Sequence, residues 1–128
     1  MRLLVDTHLL LWSMGASRRL PASARELLSD PVNAVLYSAA SVWEIAIKST
    51  LRRADFLIDL PPLLRALERA GFVELPVSAS HAARVATLPE LHKDPFDRML
   101  VAQALTEPAI LLTNDQRLGA NGAPVRVL

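Results

Sequence analysis

The chain has 128 residues, 52% of them apolar and 21% charged, and a formal net charge of +1. These values fit one domain with a packed interior, spanning residues 1–128, and exclude a disordered, highly charged polypeptide. With no cysteine, a disulfide framework, a thiolate zinc site and a cysteine nucleophile are excluded together, in keeping with a reducing cytoplasm.

Arg2 to Val5 is a short apolar run ending at Asp6 and predicts a buried strand. His8 to Met14 follows as a helix that Gly15 would stop. The opening segment, MRLLVDTHLLLWSMGA, has the basic residue and apolar stretch of a secretory leader, but Asp6 and His8 interrupt it. No stretch reaches the roughly 18 uninterrupted apolar residues of a membrane span, so the sequence reads as a soluble cytoplasmic protein.

Pro21 to Ser29 predicts a second helix, ended by Asp30-Pro31. Ala34 to Tyr37 is a second strand, and Ser38 an N-cap for a helix from Ala39 to about Leu51. Asp59-Leu-Pro-Pro opens a helix over Leu63 to Ala70, with Gly71 as the residue just past its end. Phe72 to Val77 predicts a third strand, and Ser78 or Ser80 caps a helix through Ala86. Asp94-Pro95, a cap followed by proline, starts a helix to about Leu105. Ile110 to Thr113 is a fourth strand, and Val125 to Leu128 a last edge strand. Strands alternating with helices predict an α/β fold, helices on both faces of a mostly parallel sheet.

The acids fall at telling places on this map. Asp6 ends the first strand and Asp115 lies just past the fourth, so both belong to the rim where open α/β sheets bind ligands. Asp94 and Asp97 sit at the start of a helix, and Glu44 lies about two turns into another. Each also has a structural reading. Asp94 serves as an N-cap, and Asp97 favours the helix dipole or completes a capping box. Glu44 closes a Ser41-x-x-Glu44 capping box or pairs with Lys48, and Asp115 is a turn residue. Asp6 is hardest to explain structurally, because a lone charge after Leu-Leu-Val is costly to bury. Several carboxylates on one rim repel one another unless a cation intervenes. Lys48 and Lys93 are the only lysines, so a hard divalent ion such as Mg²⁺, or Mn²⁺ in its place, resolves the conflict best.

Four segments, LLVDTHLLLW, SAASVWEIAIK, HKDPFDRMLVAQA and ILLTNDQRL, occur in an order and with contents that resemble the PIN-domain nucleases. Among these, they are most similar to the VapC-type toxins of prokaryotic toxin–antitoxin pairs. The resemblance covers nearly the whole chain. It implies a three-layer α/β/α sandwich, homodimers and inhibition by a small antitoxin protein. It also places the family's four acidic positions on Asp6, Glu44, Asp97 and Asp115. Asp97 is preferred to Asp94 because Arg-Met-Leu-Val-Ala follows it.

The activity implied is Mg²⁺-dependent hydrolysis of RNA phosphodiesters. Asp6 and Asp97 are expected to hold the ion, with Glu44 and Asp115 completing the site directly or through water. Thr7, Asp94 and Asn114 are candidates for orienting the acids. His8, His81 and His92 are read as non-catalytic, and Trp12 and Trp43 as core or dimer contacts. The charge balance gives little support for nucleic-acid binding, although twelve of the fourteen cations are arginine, the side chain that best forks a phosphate.

Three alternative readings fit the residues less well. A receiver domain needs a phosphoacceptor Asp after its central strand and a late Lys, and no Lys follows Lys93. A dinucleotide or P-loop fold needs a Gly-rich turn that Asp6-Thr7-His8 does not provide. A PIN-like RNA-binding or regulatory module without turnover would not need all four acids.

Overall fold

The computed structural model describes residues 1–15, 17–91 and 93–128, with Asp55 described by its backbone. Five strands form its sheet: β1 (Arg2–Val5), β2 (Ala34–Ser38), β3 (Val73–Leu75), β4 (Ile110–Thr113) and β5 (Val125–Val127). Their order is β3-β2-β1-β4-β5, and every pairing is parallel. The expected α/β/α sandwich is therefore present, with a sheet that is parallel throughout.

Strand β1 takes the centre. Leu4 of β1 pairs with Leu36 of β2 on one side and Leu111 of β4 on the other, and Leu3, Leu4 and Val5 are fully buried. Successive side chains of a strand point to opposite faces. Leu3, Val5, Val35, Tyr37 and Leu112 accordingly enter one core, and Leu4, Leu36 and Leu111 the other.

Among the described residues, six α-helices cover the two faces: α1 (Thr7–Met14), α2 (Ala22–Ser29), α3 (Ala39–Thr50), α4 (Leu60–Arg69), α5 (Ala79–Val85) and α6 (Pro95–Thr106). Leu9 and Leu10 of α1, Ile45 of α3 and Leu63 and Leu67 of α4 pack on the first face. Leu100, Val101 and Ala104 of α6 pack on the second, with α5 laid against α6. Among the described residues no helix is long and apolar enough to cross a membrane.

Local chemistry sets the helix ends. Ser38 Oγ accepts from the Ala40 amide at 3.0 Å, and Asp94 Oδ1 accepts from Phe96 and Asp97 at 2.9 and 3.2 Å. Gly71, at φ +82°, takes the left-handed conformation that ends α4. Helix α4 begins three residues earlier than the sequence predicts, because Pro61 and Pro62 sit in a first turn whose amides have no intrahelical partner. Strand β3 is shorter than predicted at both ends: Pro76 has no amide to give a ladder, and its carbonyl instead accepts from Gln103 Nε2 at 3.3 Å.

The order of the strands matters most for function. The chain builds outward from β1 to β2 and β3, then returns to place β4 on the other flank of β1. The carboxyl ends of β1 and β4 thus bound a topological switch point, the crevice where ligands bind in open parallel sheets.

Candidate active site

Asp6 sits at this switch point, directly after β1, and is only 6% exposed. One oxygen caps α1 by accepting from the Leu9 amide at 2.9 Å, and the other accepts from the Thr113 hydroxyl at the end of β4. Burial pushes the Asp6 carboxyl above its usual range. The bonds from Thr113 and Leu9 and the charge of His8 pull it back, and nearby Asp115 adds to the rise.

Glu44 projects from the second turn of α3 and is 5% exposed. Its Oε1 lies 2.6 Å from Thr7 Oγ1, which is in turn 3.0 Å from Ser41 Oγ. Its Oε2 meets Lys48 Nζ at 2.6 Å, one helical turn on. The Ser41–Glu44 capping box is not formed, because the helix starts at Ser38 and Ser41 is buried beside Thr7. The pairing with Lys48 is present.

Asp115 begins a 3-10 turn over Gln116–Asn121 and is half-buried. Its amide donates to Thr113 Oγ1 at 3.0 Å, and its carboxylate takes the Arg117 amide at 3.0 Å and the Arg117 guanidinium at 2.7 Å. Thr113 therefore links two acids: its proton goes to Asp6, and its oxygen positions the backbone of Asp115.

Asp97, in the first turn of α6, is half-buried, and its carboxylate makes no hydrogen bond or ion pair among the described residues. Its pKa is pushed up to about 7, first by burial and then by the charges of Asp94, Glu44, Asp6 and Asp115. Four carboxylates therefore lie within electrostatic reach of Asp97, and the five acids come from four separate stretches of chain.

The cations divide this group. Glu44 has Lys48, the i,i+4 partner the sequence offers, and Asp115 has Arg117. Asp6 and Asp97 have no such ion pair among the described residues, and they are the two carboxyls raised here. The donor set is carboxylate oxygen, which suits a hard divalent ion. As the side chains stand, no three His, Cys, Asp or Glu among the described residues are grouped closely enough to hold an ion. Asp6, Glu44 and Asp115 are instead turned onto internal donors and cations.

Of the remaining candidates, Thr7 stands at Glu44 and Asp94 caps α6 while acting on Asp97. Asn114 is half-buried, and Thr113 before it does the orienting. Thr113, Ser41 and Arg117 were missed by sequence reasoning. A threonine ending β4 beside an acid ending β1 becomes a signal only once the strand order is known.

His81 is buried, 2.6 Å from Glu107 through Nε2, while its Nδ1 accepts from the Ser78 amide at 3.0 Å. That bond, followed by the one from Arg2, holds the Glu107 carboxyl below its usual range. His8 packs its ring against Trp12 and Phe56. His92 lies outside the described residues. Trp12 packs against the core, whereas Trp43 is 63% exposed.

The PIN domain family model matches residues 3–123. Among solved structures, VapBC-1 from nontypeable Haemophilus influenzae is similar at 17% identity and a TM-score of 0.70, covering 100% of this chain and 97% of that one. VapBC2 from Rickettsia felis, bound to a DNA fragment from its promoter, is similar at 16% and 0.68, covering 100% and 98%. DNA-bound VapBC from Salmonella typhimurium is similar at 14% and 0.67, covering 100% and 97%. At these identities the likeness is one of fold. No curated protein matches the sequence. The family match, spanning nearly the whole chain, establishes that this protein belongs to the PIN domain family.

Proposed function

We propose that residues 1–128 form one nuclease domain, a metal-dependent endoribonuclease acting as the VapC-type toxin of a toxin–antitoxin pair. The observation that carries this reading is Asp97, raised to about 7 by burial and then by the charges of Asp94, Glu44, Asp6 and Asp115. An accumulation of like charge this strong has no structural benefit by itself, and such perturbed groups cluster at functional sites. Likeness in fold to VapBC proteins supports the toxin assignment and an antitoxin partner; a homodimer and a cytoplasmic setting belong to the same proposal.

Asp6 and Asp97 would hold Mg²⁺, or Mn²⁺ in its place, with Glu44 and Asp115 completing the site directly or through water. When bound, the ion would polarise a phosphoryl oxygen and lower the pKa of water into the neutral range. The protein's own contribution is positional. Thr113 aims Asp6, Thr7 aims Glu44, and the Asp94 cap sets the first turn of α6 from which Asp97 projects. Lys48 and Arg117 neutralise Glu44 and Asp115. Asp6 and Asp97, without such a cation among the described residues, are the carboxyls left for an ion to take.

Asp6→Asn tests this directly. Asparagine keeps the oxygen that caps α1, so the variant folds, yet Mg²⁺-dependent cleavage of a mixed RNA panel falls below detection, as it does for the parent protein in EDTA. Cleavage by Asp6→Asn at the parent's rate would refute the assignment.

A further inference from the structure

A groove of about 570 Å³ runs between α3, α5 and α6, lined by Trp43, Phe96, Met99 and Val85 together with Lys93 and Arg98. Its size is within the roughly 300–1,000 Å³ of small-ligand sites. Trp43 leaves 63% of its surface exposed, and its ring centre lies 5.4 Å from that of Phe96 at an interplanar angle of 71°. Each ring is next in sequence to a site acid, Trp43 to Glu44 and Phe96 to Asp97. Lys48, paired with Glu44 at 2.6 Å, lies 5.9 Å from the Phe96 ring centre, so the Phe96 wall of the groove reaches the carboxylate cluster.

We propose that this groove takes one base of a single-stranded RNA, stacked on the Trp43 indole, beside the phosphate that reaches the acids. The inference rests on the nuclease reading above and names how the substrate is held. A chain of net charge +1 whose site is itself acidic attracts a polyanion weakly, so affinity has to come from something other than bulk charge. Stacking on an aromatic face supplies it for any base.

The cations beside the rings suit the same occupant. Lys93 is exposed. Arg98 is pinned by the Val85 and Pro89 carbonyls, both at 3.1 Å, which keeps a fixed positive charge against the groove wall. An apolar floor with positive charge at its side matches a base joined to a phosphate.

The primary test is steady-state cleavage of a short single-stranded RNA by the parent, Trp43→Ala and Trp43→Phe. Because the indole is mostly exposed, all three fold. Trp43→Ala is expected to raise KM roughly 5- to 150-fold, the span of one lost stacking contact, with kcat within about threefold, and Trp43→Phe to recover most of the loss. Equal KM values for parent and Trp43→Ala would overturn the proposal and leave the nuclease reading intact.

Binding is read separately in an Asp6→Asn, Trp12→Phe chain, with a labelled 12-nucleotide RNA and a copy carrying abasic positions. Saturable quenching of the Trp43 emission by the first RNA, weakened with the second, supports stacking even if the parent proves unable to cleave. Two results overturn it: RNA that binds by anisotropy without quenching, and emission that shifts with protein concentration in the absence of RNA. The latter would mean that a second copy of the chain fills the groove.

Discussion

The Thr113 hydroxyl, at the end of β4, donates to the Asp6 carboxylate at the end of β1, across 107 residues of sequence. This bond joins the two strands that flank the switch point, and the same oxygen accepts the Asp115 amide. One buried side chain thus positions two acids of the cluster.

Thr113→Val keeps the shape and removes both interactions. The buried Asp6 carboxylate then loses a donor, which is expected to cost about 1–3 kcal/mol of stability. RNA cleavage is expected to fall roughly 10- to 100-fold, as for other groups that orient metal ligands, while Thr113→Ser keeps most of it. Urea unfolding and initial cleavage rates check the two effects separately. Parent-like cleavage by the valine variant would show that the orientation of Asp6 does not matter.

Asp97 makes stability depend on pH. Its pKa rises from 3.8 to about 7 on folding, so between these values the folded protein binds the proton that the unfolded chain has released. Stability contributed by the protonated form is present in full below about pH 4 and declines as pH rises towards 7. Because the group is partly exposed, screening reduces the expected loss to about 1–2 kcal/mol. Asp97→Asn has no such titration and should melt about 3–10 °C higher than the parent at pH 8, with little difference at pH 4.5. Mg²⁺ should raise the parent's Tm more at pH 8 than at pH 5, because ion and proton compete for the same carboxylate. Thermal melts at the two pH values decide the matter, and parallel curves for parent and variant would remove Asp97 from the cluster.

His81 provides the contrasting case of a buried histidine with a structural role. The Ser78 amide occupies its Nδ1, so the ring proton lies on Nε2, facing Glu107 just past the end of α6. His81→Ala is expected to cost about 2–3 kcal/mol through lost hydrogen bonds and a cavity between α5 and α6. Cleavage per folded molecule should stay unchanged at a temperature where the variant is fully folded. A loss of turnover in excess of the unfolded fraction would give His81 a part in the chemistry.

Much of this was legible in the residues alone, for local reasons. The Leu-Leu-Val run of β1, the Ser38 and Asp94 caps and the Gly71 stop are short-range features, read from side-chain pattern and backbone sterics within a few positions. The boundaries that slipped were also local contests: prolines at 61 and 62 admitted an earlier start to α4, and Pro76 ended β3 early. Asp6 was read as a strand-end acid but not as the cap of α1, since its partner amide lies in a helix predicted to begin one residue later.

By itself the sequence determined which residue types stand at the strand ends, and so which acids were candidates. Only the tertiary structure decided that β4 lies beside β1, and with it that Thr113 serves Asp6, that Thr7 reaches Glu44 and that four carboxylates act on Asp97. The physical reason is range. Capping and periodicity are settled within a turn or two of chain. The field at Asp97 is the sum of charges brought together by strand order and register, which no local window of residues contains.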